Sequence, residues 1–245
     1  MRLLVIGGTH FVGRAYVEQA VERGHDVTVF HRGADEPVGF PAVEHLHGDR
    51  LTGLAVLGGR DWDSALDTCA YFPRAVGLLG EALSERVGHY AFVSTLSVLP
   101  DPLPVGATEA TPTHGPPYPE SEEVTADTYG PLKVACELAV GAGFPRALVI
   151  RPGYIVGPHD PTGRFTSFVR RAARGGEMLA PGPPEAPVQV VDVRDLASFM
   201  LDRVEAGDTD TYGVVGPGEP LTMEGWLEVV REAAGASTAF TWVTP

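Results

Sequence analysis

The 245-residue chain is nearly without lysine: of its 18 basic residues 17 are arginine, and the other is Lys133. A sequence that uses arginine wherever positive charge is wanted departs from that habit once. Position 133 therefore calls for a compact ammonium, for which a planar, permanently charged guanidinium is no substitute. Positive charge as a whole is short, since 32 acidic residues leave a net charge of −14. With no basic cluster either, a nucleic-acid partner is not expected, because a phosphate backbone needs a positive face. Cys69 and Cys136 are the only cysteines and have no metal-ligand spacing. That argues against a disulfide framework and for a reducing, cytoplasmic setting. No His-Glu-x-x-His or comparable pattern occurs, so no metal is expected, and His45 and His47 read as the surface face of a strand. No apolar run approaches the roughly 20 residues of a membrane span. The amino terminus enters directly into a strand and a glycine turn, which is not the pattern of a signal peptide.

What is present begins with Arg2 to Ile6, an apolar run closed at once by Gly7 and Gly8, as in a strand buried on both faces. From Phe11 to Arg23 the residues Val12, Ala15, Tyr16, Ala20 and Val21 recur at helical spacing, and Gly24 ends the helix. Val27 to Phe30 is a second strand. The result is a βαβ opening whose turn reads Gly7-Gly8-Thr9-His10-Phe11-Val12-Gly13. Glycines there let the main chain bend and approach a pyrophosphate seated on the helix amino terminus. Further strands at 43–47, 64–68, 89–94 and 147–151, with a helix from Pro73 to Glu85, give an α/β fold built on a doubly wound parallel sheet.

The end of the second strand bears on cofactor choice. An NAD-selective fold carries an acidic residue there, about 20 residues past the glycines, to hold the ribose 2′-hydroxyl. This chain has His31-Arg32-Gly33 instead. Arg32 can hold a 2′-phosphate, which makes NADP(H) the preferred cofactor and NAD(H) the alternative. Tyr129-Gly130-Pro131-Leu132-Lys133 then places a phenol and the lone ammonium one helical turn apart on one face. Asp127 or Thr128 is expected to cap this helix, with Pro131 in its first turn. Lowering a tyrosine pKa by about three units takes roughly 4 kcal/mol. One ammonium at about 4 Å in an effective dielectric near 20 supplies about that much. Upstream, residues 100–120 hold seven prolines, and this long loop is expected to be a lid over a substrate mouth or a disordered insertion.

The glycine turn and the Tyr-Gly-x-x-Lys segment resemble those of the extended short-chain dehydrogenase/reductases, the NAD(P)-dependent epimerase/dehydratase family, whose turn is similar to Gly-Gly-Thr-Gly-Phe-Ile-Gly. His10 stands where that pattern has its middle glycine. The resemblance implies a Rossmann domain over 1–158 and a mixed region over 159–245, with a small C-terminal substrate annex at about 159–187 and a return to the main domain. It implies that Gly7, Thr9, His10, Phe11, Val12, Gly13, His31 and Arg32 hold the dinucleotide, with Asp49 and Arg50 near its adenine. Cys69, Ala70 and Tyr71 would line it, and Lys133 would hold the nicotinamide ribose. Pro152, Tyr154 and Ile155, in a segment similar to the family's Arg-Pro-x-x-x-x-Gly-Pro, would pass beside the nicotinamide. Ser94-Thr95-Leu96-Ser97-Val98 is similar to Ser-Ser-x-Ser-Val-Tyr, which makes Thr95 the residue that orients a substrate carbonyl. Ser97 and the annex residue Arg164 then become substrate contacts, and a homodimer is implied by analogy. Members of the family run on past a point like Thr241-Trp242-Val243, so the chain is expected to be either a naturally short member or a truncated one, in either case with part of the substrate pocket missing. Close variants of these motifs also resemble a plastid stem-loop RNA-binding branch, against which the net charge argues.

The expected function is an NADP(H)-dependent reductase or dehydrogenase of a small carbonyl or hydroxyl compound, with a Thr95, Tyr129 and Lys133 site. Two other readings stand beside it. One is a nucleotide-sugar epimerase or dehydratase that retains its NAD(P), with Arg164 and Arg171 on a substrate diphosphate. The other is a binding protein that senses a dinucleotide without chemistry.

Overall fold

Leu3, Leu4, Val5 and Ile6 offer no polar side chain to either face of their strand, so both faces must be covered. The computed structural model, which describes residues 1–33, 39–115 and 122–243, covers both. In chain order the first elements are β1 (Arg2–Ile6), α1 (Phe11–Glu22), β2 (Asp26–His31), β3 (Glu44–His47), β4 (Ser64–Asp67), α2 (Pro73–Leu83), β5 (Tyr90–Val93), α3 (Ala126–Gly143) and β6 (Ala147–Pro152). There follow β7 (Tyr154–Val156), α4 (Arg164–Ala173), β8 (Gly176–Pro181), β9 (Pro187–Val188) and β10 (Val190–Asp192). The last are α5 (Val193–Ala206), β11 (Thr211–Val214), β12 (Leu221–Thr222), α6 (Met223–Ala233) and β13 (Thr238–Val243). No helix among the described residues is long and apolar enough to cross a membrane.

The chain divides into two units. The first, residues 1–153 and 193–214, is a seven-stranded parallel sheet in the order β11-β6-β5-β4-β1-β2-β3. This is the doubly wound α/β fold expected. On one face α2 and α3 close over Leu4, Ile6, Phe30, Ala65 and Phe92 through Val76, Leu79, Leu83, Cys136 and Val140. Those helices meet closely because Gly80 and Gly143 face each other; a Cβ on Gly80 would lie 3.5 Å from the Gly143 Cα. Tyr90 stacks on Phe144 at 3.7 Å. Helix α1 packs against α5, and Arg23 ties them by donating to Asp202 at 2.7 Å and Glu205 at 3.1 Å.

Helix α3 starts earlier than its sequence suggests. Its cap is Thr125, in a reciprocal box with Thr128, and neither Asp127 nor Thr128 is the cap. Pro131 consequently lies in the second turn, where its ring removes a hydrogen bond to the Asp127 carbonyl. The capping box offsets that loss at the adjoining helix end. The proline-rich stretch is anchored in its middle: His114 N–H donates to the Val98 carbonyl at 2.8 Å, and Gly213 N–H donates to Glu109 at 2.8 Å. The rest of the expected lid includes residues 116–120, which lie outside the described residues.

The second unit comprises 154–192 and, among the described residues, 215–243. The stretch expected as the annex, about 159–187, falls inside it. Its core gathers Ala172 from α4, Met178 and Ala180 from β8, and Trp226, Leu227 and Val230 from α6. Phe168 packs on Trp226 at 4.9 Å. Strands β8 and β13 run parallel, as do β7 and β10, while β9 and β12 are antiparallel.

Candidate functional site

The strand order reverses between β1 and β4, and in open α/β sheets such a switch leaves a crevice at the strands' carboxyl ends. The residues after β1 form the glycine turn. Gly7 has φ +83°, and a Cβ there would lie 2.8 Å from Cys69 Sγ. A Cβ on Gly13 would lie 2.8 Å from the Gly7 carbonyl oxygen and the Gly8 Cα, so only glycine lets α1 start this close to β1. His10 needs no such freedom. It caps α1 with extended backbone, φ −131° and ψ 148°, and its exposed ring meets Thr9 Oγ1 at 2.9 Å. The unusual backbone belongs to Phe11, at φ +38°, while Val12 continues into the helix.

After β4 come Cys69, Ala70 and Tyr71, and after β5 come Ser94, Thr95 and Ser97. Lys133 lies between the two strand ends. It is 3% exposed, and its Nζ donates to the Ala70 carbonyl at 2.9 Å and the Val93 carbonyl at 2.7 Å. The ammonium also sits 4.1 Å from the centroid of the Phe92 ring. Burial pulls its pKa down to about 8, against the neighbouring acidic groups, which raise it. Tyr129, one turn earlier, is half-buried, with its ring 6.4 Å from that of Tyr71. Thr95 caps the short 3-10 turn Leu96–Val98. Its Oγ1 accepts from Ser97 N–H at 3.1 Å and donates to Ser97 Oγ at 3.2 Å. Gly130 brings α3 onto that turn, since a Cβ on it would lie 2.1 Å from the Ser97 carbonyl oxygen.

Two buried ionic clusters frame these residues. Asp67, fully buried at the end of β4, accepts from both Arg50 Nη groups at 2.9 and 2.7 Å and from the Tyr90 hydroxyl at 2.7 Å. Burial alone would raise the Asp67 pKa, but the Arg50 guanidinium outweighs it and holds the carboxyl below its usual range. Arg50 also donates to Cys69 Sγ at 3.1 Å, and burial pushes that thiol up to about 11. The second cluster joins Arg151 to Glu137 through two hydrogen bonds of 3.0 and 2.7 Å, with Ser94 donating to the same carboxylate. Glu137 and Asp67 were not among the sequence candidates. Glu137 continues the spacing of Tyr129 and Lys133 by another four residues along α3, which is a legible signal.

The remaining candidates fall in two other places. His31 ends β2 buried, Arg32 follows exposed, and Asp49 turns back to accept from Leu51 N–H at 2.8 Å. Pro152 ends β6. Tyr154, Ile155 and Arg164 belong to the second unit, where the Arg164 guanidinium lies 4.7 Å from the centre of the Tyr154 ring.

No protein-family model matches the chain. The 2-alkyl-3-oxoalkanoate reductase of Stenotrophomonas maltophilia is 26% identical over 96% of this chain and 76% of its own length. The dTDP-4-dehydrorhamnose reductase of Mycobacterium tuberculosis is 27% identical over 84% of this chain and 66% of its own length. Among solved structures, the Thermus thermophilus UDP-glucose 4-epimerase in complex with NAD superimposes with a TM-score of 0.74. It is 24% identical, over 100% of this chain and 87% of the epimerase. The expected likeness to the epimerase/dehydratase group therefore holds at the level of the fold.

Proposed function

We propose that this chain, which has the fold of the extended short-chain dehydrogenases/reductases, is an NADP(H)-dependent reductase of a small carbonyl compound that works through Thr95, Tyr129 and Lys133. The carrying observation is Lys133: the sole lysine is buried between the carboxyl ends of β4 and β5 and held by two main-chain carbonyls one turn beyond a tyrosine. Both sequence relatives reported above bear names of carbonyl reductases.

The residues suit a dinucleotide. Gly7 and Gly13 let the turn pack tightly against Cys69 and against itself where a Cβ would collide, which brings the α1 amino terminus close to the end of β1, and a helix amino terminus suits a pyrophosphate. Exposed Arg32 after β2, with no carboxylate beside it in sequence, favours a 2′-phosphate. Bound NADPH would supply the hydride. The Tyr129 phenol gives the proton to the substrate oxygen, and the Lys133 ammonium lowers the cost of the phenolate left behind. Thr95 turns its hydroxyl from Ser97 to the same oxygen and stabilises charge as it develops there. Carbonyl, hydride and proton together make the alcohol.

A second reading, an epimerase that retains NAD, is favoured by the NAD-bound structural neighbour. Thermal shifts with NADPH, NADP, NADH and NAD at equal concentration separate the two. A larger shift with the phosphorylated pair is the expected result, and a larger shift with NAD would put the epimerase first. Tyr129→Phe is expected to keep the NADPH shift and lose at least a hundredfold in carbonyl-dependent NADPH consumption. Retained turnover would remove Tyr129 from the mechanism.

A further inference from the structure

Parallel pairing sets His31 of β2 directly beside His47 of β3. Strand alternation turns His45, two residues earlier, to the same face. Three imidazoles so converge at one corner of the sheet, at its β3 edge. Their ring centroids are 5.0 Å apart for His31 and His45, 4.8 Å for His31 and His47, and 6.3 Å for His45 and His47. One ring nitrogen from each lies within 4.8 Å of the other two. The strand alternation that made His45 and His47 read as a surface face holds, but the sequence did not show that β2 adds a third, buried ring.

From this geometry we infer a binding site for a divalent transition-metal ion, formed by His31, His45 and His47. The donor set selects the class of ion. Imidazole nitrogen suits Zn²⁺, Ni²⁺ and Cu²⁺, whereas Mg²⁺ and Ca²⁺ take oxygen. Zinc–nitrogen bonds of about 2.0–2.1 Å in a tetrahedral site need nitrogens roughly 3.3 Å apart. The longer separations close by side-chain rotation, since His47 is exposed and His45 half-buried while His31 is fixed in the sheet. Three imidazoles leave the fourth position of a tetrahedral shell to water.

Ring protonation states fit this exchange. His31 Nδ1 accepts from Gly33 N–H at 3.2 Å, so in the neutral ring Nε2 carries the proton and donates it to His45 Nδ1 at 2.8 Å. A metal ion takes the place of that proton between the two nitrogens, the proton moves to His31 Nδ1, and the Gly33 amide contact opens. Gly33, at φ +78°, has a backbone conformation that favours glycine.

The test uses the full chain after chelator treatment and dialysis, without dinucleotide, so it is independent of the reductase reading. Zn²⁺ titration by calorimetry is expected to give one ion per chain, and Co²⁺ to develop the visible bands of a tetrahedral nitrogen site. His47→Gln, at an exposed position, should weaken Zn²⁺ binding at least tenfold and abolish the Co²⁺ bands with an unchanged melting temperature. His45→Gln should act alike. Binding that persists within twofold in both variants, or no binding by the parent chain, overturns the site.

Discussion

Lys133 is the residue on which geometry and electrostatics pull apart. Two carbonyls and an aromatic face favour its charge, while burial draws the pKa to about 8 from the ordinary 10.5. Between those two values the unfolded chain binds the proton that the folded chain has released, so stability rises with pH across that window. A shift of this size is linked to roughly 3 kcal/mol. Lys133→Met is expected to remove the rise, measured by urea unfolding of parent and variant at about pH 7 and about pH 10. An equal rise in both would assign it to other groups. The one-turn spacing of Tyr129 and Lys133 was legible because spacing along a helix is a property of sequence. The partners of Lys133 were not, since Ala70 and Val93 reach it only once β4 and β5 lie side by side.

The element that organises the site is the amino-terminal half of α3. Its cap was expected at Asp127 or Thr128; Thr125, a residue with the same capping chemistry, holds the position instead, which only the backbone shows. Gly130 shows what packing demands of that half-helix. Alanine in a helix interior is favoured over glycine by about 0.5–1 kcal/mol. Here its Cβ would meet the Ser97 carbonyl at 2.1 Å, and overpacking costs about 1–3 kcal/mol. The contact should win, so Gly130→Ala is expected to lower stability and, by shifting the turn that bears Thr95 and Ser97, to lower kcat as well. Denaturation midpoints and kcat measured together would show it; a variant more stable than the parent would mean that α3 slides without cost. The β1 turn, by contrast, was readable glycine by glycine, except that the backbone at His10 turned out to need no glycine.

At the scale of the whole molecule, the buried Asp67–Arg50 pair is expected to contribute to the response to acid. Asp67 is held below its usual pKa by Arg50, so its stabilisation is complete above the unfolded value near 4 and is lost as pH falls through the folded one. Asp67→Asn leaves Arg50 buried without its countercharge and is expected to cost about 3–5 kcal/mol at neutral pH. The variant should also lose less on acidification than the parent does, which urea unfolding at about pH 7 and about pH 3 would reveal. Parallel losses in the two chains would assign the acid limb elsewhere. The doubly wound architecture was legible from strand-sized apolar runs alternating with helical ones. The Asp67–Arg50 pair was not, because it depends on how distant strand ends come together.

The division of the chain carries one more consequence, for exchange between proteins. The sheet unit takes 1–153 and 193–214, and the second unit takes 154–192 and the stretch from 215 onward. The polypeptide therefore passes from one unit to the other three times, and no single junction separates them. A recombination that imports a foreign second unit must replace two separate gene segments and keep the α5–β11 segment between them, because that segment supplies the edge strand beside β6. The second unit is therefore exchanged by paired grafts, and a single crossover cannot exchange it.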